Sequence, residues 1–187
     1  MIERDATGRM RMNDLECAAI LKPTAEFISA AGDADVTAPL PDGRSLLMAT
    51  LANTDLESRY ASTQWLLDQG CGLGAPSPEG VTELHVLFDQ VKHDIARDVE
   101  IAKQLIALGA DVNAVSQPRG LVFSEIVQMK FTDDDLEPIY QLWFDQPVTL
   151  DFETPSSRGA EPIGFARAVP YRKSILERME RYIAERS

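Results

Sequence analysis

Residues 105–114 read LIALGADVNA: the end of an apolar helix, a glycine that stops it, and a short polar tail closing on alanine. The ending recurs. Gly32 opens GDADVTA (32–38) and Gly70 opens GCGLGA (70–75), so the stops at Gly32, Gly70 and Gly109 lie 38 and 39 residues apart. A fourth, at Gln146 in DQPVTLD (145–151), falls another 37 residues on. The closing alanines Ala38, Ala75 and Ala114 keep the same phase. A second glycine series runs in step: Gly43 in PDGRSLLMA, Gly80 in PEGVTELHVL, Gly120 in PRGLVFSEI and Gly159 in SRGAEPIGFA, spaced by 37, 40 and 39 residues. Two markers holding one period indicate an internal repeat.

Each period has the same local grammar. A Pro/Gly turn opens it, because glycine supplies the positive φ that a tight turn demands. A short apolar helix follows, as in SLLMATL (45–51) or ELHVLF (83–88), then a polar connection and a second amphipathic helix, as in STQWLLDQ (62–69) or VEIAKQLIAL (99–108). In the last of these Ile101, Ala102, Leu105, Ile106 and Leu108 form one stripe at helical spacing. Glycine then caps the helix. The expected fold class is all-α.

GVTELHVLF (80–88) followed by VEIAKQLIALGADVNA (99–114) resembles the ankyrin repeat, whose pattern is G-x-T-P-L-H-x-A and then a second helix ending in G-A-D-V-N-A. Gly80, Thr82, Leu84, His85, Gly109, Ala110, Asp111, Val112, Asn113 and Ala114 match it. Glu83 stands where proline is usual, Leu87 and Phe88 replace small residues, and the period is near 38 rather than about 33. The surplus falls between the two helices, as a longer first helix or an extended connection in DQVKHDIARD (89–98) and ANTDLESRYA (52–61). The match is strong at 79–114, moderate at 12–38 and 42–75, and carried mainly by phase at 119–152 and 158–187. The resemblance implies that Thr82 and His85 hydrogen-bond the turn and tie one repeat to the next; a catalytic or metal-binding His85 is the competing reading. His93 falls in the polar connection and reads as solvated.

One helix pair cannot bury its apolar face alone, so neighbours must stack. The expectation is an ankyrin-like solenoid of about four repeats plus a C-terminal capping helix, one domain over 12–187 behind a disordered tail at 1–11. NDLECAAIL (13–21) and TAEFISAAG (24–32) form the first pair, with Asn13 and Thr24 as N-caps. At the other end YRKSILERMERYIAERS (171–187) places Ile175, Leu176, Met179, Tyr182 and Ile183 on one face under a polar cover.

The chain of 187 residues carries a net charge of −12, which speaks against nucleic acid as a partner, since phosphate binding needs a basic surface. No secretory signal opens it and no apolar run of membrane-spanning length interrupts it. Cys17 and Cys71 are too few for a disulfide framework and lack the spacing of a zinc site, so the expected compartment is the cytoplasm. From Phe131 to Glu153 there are seven acids (Asp133, Asp134, Asp135, Glu137, Asp145, Asp151 and Glu153) and no lysine or arginine. TDDDLEP (132–138) reads as a helix start, where carboxylates complement the macrodipole and Pro138 is tolerated in a first turn. The same strip could face a cationic partner. Consecutive aspartates without a central glycine do not make a calcium loop, and the glycines of GCGLGAPSPEG (70–80) follow a helix where a phosphate loop would follow a strand. No hydrolase, metalloprotease or dinucleotide signature is present. No metal or cofactor is expected.

Function is therefore expected to be non-enzymatic binding of another protein by a monomer. The ankyrin resemblance implies a concave surface of turn tips and first-helix flanks, which here maps to Arg44, Ala52, Asn53, Glu79, Val81, Asp89, Gln90, Val115, Arg119 and Lys130. An inhibitor or immunity-type protein neutralising a basic toxin or nuclease is the alternative. An enzyme or small-ligand binder of unrecognised type is the remote one. Trp143 and Phe144 read either as core or as an aromatic anchor.

Overall fold

A computed structural model of the chain describes residues 14–157, 159 and 161–186. Asn13 and the tail at 1–11 lie outside the described residues. The described fold is all-α apart from one two-residue ladder, and its helices come in pairs of a first and a second helix. The pairs are α1 (Asp14–Leu21) with α2 (Thr24–Ala31), α3 (Leu46–Leu51) with α4 (Leu56–Asp68), α5 (Glu83–Phe88) with α6 (Ile95–Ala107), α7 (Val122–Gln128) with α8 (Asp133–Phe144), and α9 (Pro162–Ala168) with α10 (Lys173–Ala184). The C-terminal cap is thus a helix pair joined by a 3-10 turn at Pro170–Arg172, where a single helix was expected. The strands β1 (Val115–Ser116) and β2 (Gly120–Leu121) pair antiparallel before α7.

Both glycine series have a structural cause. Gly32, Gly70 and Gly109 after the second helices, and Gly43, Gly80, Gly120 and Gly159 in the turns, all have positive φ, and no other described residue does. The surplus over a shorter period does not lengthen the first helices, since α3 and α5 have six residues each. The second helices α4 and α6 have 13 residues each, and the connection at 89–94 is longer than the one between Leu51 and Leu56.

The described residues fall into two compact units, one within 1–77 and 90–94, the other within 78–89 and 95–187. In the first, α1 packs on α2 and α3, and α4 packs on α2 and α3. Ala19, Phe27, Leu47, Leu51 and Leu66 form its core, each fully buried, and Phe27 meets Trp65 edge-on at 5.6 Å. Burying a side chain of that size stabilises by about 1.5–3 kcal/mol. Ser45 and Asp55 cap α3 and α4, accepting from the amides of Met48 and Ser58. Thr24 departs from expectation: Pro23 holds the N-cap of α2, Thr24 is the first helical residue, and its hydroxyl faces α4, where Ser62 donates to it at 3.1 Å. The segment Gln90–Asp94 belongs here because α4 holds it. The buried Arg59 donates to the carbonyl of Lys92 at 2.7 Å, and the Tyr60 hydroxyl accepts from the amide of Asp94 at 2.9 Å.

In the second unit, α5, α7 and α9 pack in succession, as do α6, α8 and α10. Leu84, Leu87, Ala102, Leu105, Val122, Ile126, Leu136, Ile139 and Met179 make its interior. Trp143 is 1% exposed and packs edge-on against Phe88 at 5.4 Å, so it belongs to the core. Phe144 is half-buried, stacked on Phe152 and edge-on to Tyr182. On α10 the expected face is the one that packs: Ile175, Met179 and Tyr182 are buried, Leu176 and Ile183 half-buried. The three aspartates do open α8, but Pro138 is its sixth residue and therefore lies in the second turn, a correction to its expected place. It is exposed, and because proline has no N–H it removes one ladder hydrogen bond, the one to the carbonyl of Asp134.

Candidate partner-binding surface

Backbone hydrogen bonds run from turn to turn. In the second unit the amide of Gln117 donates to the carbonyl of Glu79 at 2.8 Å, and the amide of Ser157 donates to the carbonyl of Gln117 at 3.0 Å. In the first unit Ala75 donates likewise to Gly43 at 2.7 Å. The approach needs glycine: a Cβ on Gly80 would stand 2.8 Å from the carbonyl oxygen of Val115. Asn113 adds a side-chain tie, donating to the carbonyl of Thr149 at 2.7 Å and accepting from the amide of Asp151 at 2.9 Å.

His85 belongs to the same system. Its Nδ1 accepts from the amide of Thr82 at 3.2 Å and its Nε2 meets the carbonyl of Gly120 at 3.0 Å. Those partners select the neutral ring with its proton on Nε2, and burial pulls its pKa below the usual histidine value. Both nitrogens have structural partners. His93 is likewise engaged, its Nε2 2.6 Å from the carbonyl of Gln90.

The expected contact residues divide. Glu79, Val115, Asp89 and Lys130 are exposed, and Val81, Ala52, Gln90 and Arg119 are half-buried. Arg44 is held by Asp42 at 2.6 Å and Glu16 at 2.7 Å. Arg119 bridges Asp89 and Glu125, the second at 3.7 Å. Burial, helped by the charge of Asp89 and opposed by Arg119, pushes the Glu125 carboxyl up to about 7. Asn53 is a correction: it is 3% exposed, and its amide nitrogen donates to the carbonyls of Ala19 and Lys22, so it stitches two helix pairs together and is not presented to a partner.

The acidic strip is also less uniform than its sequence. Asp133 is withdrawn from the surface, its carboxylate paired with the fully buried Arg172 at 2.9 Å and accepting from the Tyr140 hydroxyl and the amide of Ser174. Glu137 pairs with Arg178, whose guanidinium lies 4.4 Å from the Phe144 ring. Asp134, Asp135, Asp145 and Glu153 remain exposed, whereas Asp151 is half-buried in a turn with Thr154. Asp135 closes a reciprocal cap with Thr132, which holds its pKa below the ordinary carboxylate range.

Sequence reasoning passed over Gln117, exposed on the central turn, and Tyr171, 60% exposed beside the 3-10 turn. Gln117 had a signal, two residues past Val115 in phase with the turn series; Tyr171 had none. Among the described residues no cluster of three or more His, Cys, Asp or Glu side chains could hold a metal, and no described helix is long and apolar enough to cross a membrane.

No family model matches the chain, and no curated protein does. Among solved structures it is similar to a functionally unknown protein from Leptotrichia buccalis C-1013-b, with a TM-score of 0.77 and 23% identity over 91% of this chain and 93% of that one. At that identity the likeness speaks for the fold alone.

Proposed function

We propose that the chain is an ankyrin-type solenoid that binds another protein through its turn tips and the adjoining ends of its first helices, without catalysis. One observation carries this reading. Three successive turns are tied backbone to backbone through Glu79, Gln117 and Ser157, yet the side chains of Glu79, Val115 and Gln117 stay exposed. A surface fixed in advance loses little conformational freedom on binding, which leaves more of the contact energy for affinity. Arg119 extends it in the turn between β1 and β2, and Asp89 and Lys130 just past the ends of α5 and α7. The unbridged Cys17 and Cys71 fit a reducing compartment, and we place the protein in the cytoplasm.

A basic partner is the second reading, favoured by the exposed Asp134 and Asp135 on the first turn of α8 and by the net charge of −12. Neutralisation of a basic toxin or nuclease is its narrower form.

Affinity capture from the native cell tests both. Wild type and a Lys103→Glu control should retain one partner that a Val115→Arg/Gln117→Arg variant loses. Capture indifferent to the tip variant would overturn the proposal. Capture that fails at high salt selects the basic-partner form, because exposed charge pairs are screened.

A further inference from the structure

Between the end of α7 and the start of α8 lies an open cleft of about 420 Å³, lined by Lys130, Phe131, Thr132, Asp135 and Tyr171. Its size falls within the range of roughly 300–1,000 Å³ over which proteins receive small ligands and side-chain anchors. One buried residue holds the backbone behind it and lies against the Tyr171 ring. Arg172, 0% exposed, donates to the carbonyls of Val127, Met129 and Phe131 and pairs with Asp133, while its guanidinium lies 5.0 Å from the centre of the Tyr171 ring. The floor is equally spent, since Thr132 and Asp135 satisfy one another. Lys130 is exposed at the rim, and no acceptor within the described residues holds its ammonium. The cleft thus presents the Tyr171 ring beside a buried guanidinium, Phe131 on a backbone held by Arg172, and one uncommitted cation.

We propose that this cleft receives an aromatic side chain of a partner protein that carries a carboxylate beside it, the ring lodging against Tyr171 and Phe131 and the carboxylate meeting Lys130. Aromatic residues in preformed clefts supply most of the energy of many interfaces, and rings pair edge-on or offset with rings already in place. The lysine supplies the choice: in a chain this acidic an anionic ligand is repelled at long range, so a local cation is needed to admit one. The inference rests on the reading of the chain as a protein-binding module and names the chemistry of one anchor. Its test uses no natural partner, so it can fail while tip-dependent capture succeeds.

The experiment is a nuclear magnetic resonance titration of the uniformly 15N-labelled full chain with N-acetyltryptophan, N-acetyltryptophan amide and tryptamine. Saturable shifts are expected at residues 130–135 and Tyr171. The acid should bind more tightly than the amide by about threefold, the weight of one exposed ion pair, and tryptamine should bind most weakly. Tyr171→Ala should abolish saturation, Lys130→Glu should reverse the order of acid and tryptamine, and Val148→Ala should change neither. Shifts scattered over the chain, acid and amide of equal affinity, or an order unmoved by Lys130→Glu would overturn the proposal.

Discussion

His85 spans two turns of the chain: its Nδ1 accepts from Thr82 at the start of its own helix, and its Nε2 stands 3.0 Å from the carbonyl oxygen of Gly120, 35 residues on. One imidazole therefore closes a helix cap and fixes the next turn. Replacement by glutamine should leave at least one of these buried groups unpaired and cost about 1–3 kcal/mol, read as a fall in the urea midpoint at pH 8. Burial lowers the folded pKa below the unfolded value near 6.5, so the unfolded chain binds a proton that the folded one refuses. The contribution is present above that value and lost as pH falls through it toward the folded pKa. His85→Gln should flatten this part of the decline.

Glu125 has the opposite sign. Its folded pKa is about 7 against an unfolded value of 4.5, so the folded chain holds the extra proton and stability from this group is lost as pH rises through 7. Glu125→Gln should therefore be more stable than wild type at pH 8 by on the order of 2 kcal/mol, with the advantage vanishing toward pH 4. An equal gain at both ends would refute the assignment. Because the Glu125 window overlaps that of His85, each must be read from its own variant.

The two glycine series separate backbone conformation from crowding. A Cβ on Gly109 would meet nothing within 4 Å, so Gly109→Ala should cost only the positive-φ penalty of about 1–2 kcal/mol. Gly80→Ala adds a clash with the carbonyl of Val115 and should cost distinctly more. Equal thermal shifts for the two variants would remove the turn contact from the account.

Pro138→Ala should stabilise the chain. The proline lies on the exposed side of α8 and removes one ladder bond in its second turn; restoring that bond should contribute up to about 3 kcal/mol. An unchanged denaturation midpoint would mean that α8 has already relaxed around the ring.

What was legible in the sequence was the local chemistry. Positive φ is a property of one residue, so the spacing of Gly43, Gly80 and Gly120 located the turns before any coordinates did. The His85 bonds also follow a short pattern, TELH at 82–85. What escaped depends on distant neighbours. Arg172 fell within the polar cover expected over 171–187 and Arg59 within a polar connection, yet both are buried because backbone carbonyls at the ends of first helices need donors. Asp133 looked like part of an acidic face until Arg172, 39 residues away, claimed it. Asn53 looked exposed for the same reason: the carbonyls that bury it belong to α1 and the residue after it, 34 and 31 positions earlier. Thr24 failed on a boundary, since α2 starts at it and Pro23 is the cap, and Pro138 failed on the count of residues from a helix start that was itself legible.

Hydrogen exchange at the amides of Gln117 and Ser157 tests the central claim, that the turn tips form one fixed frame. Both residues are exposed, so unpaired amides there would exchange at close to the rate of an unstructured peptide. Bonds to Glu79 and to the Gln117 carbonyl should instead slow both by about a hundredfold or more, and Gly80→Ala should release Gln117 first. Exchange of both amides at the free-peptide rate in the wild-type chain would contradict the account.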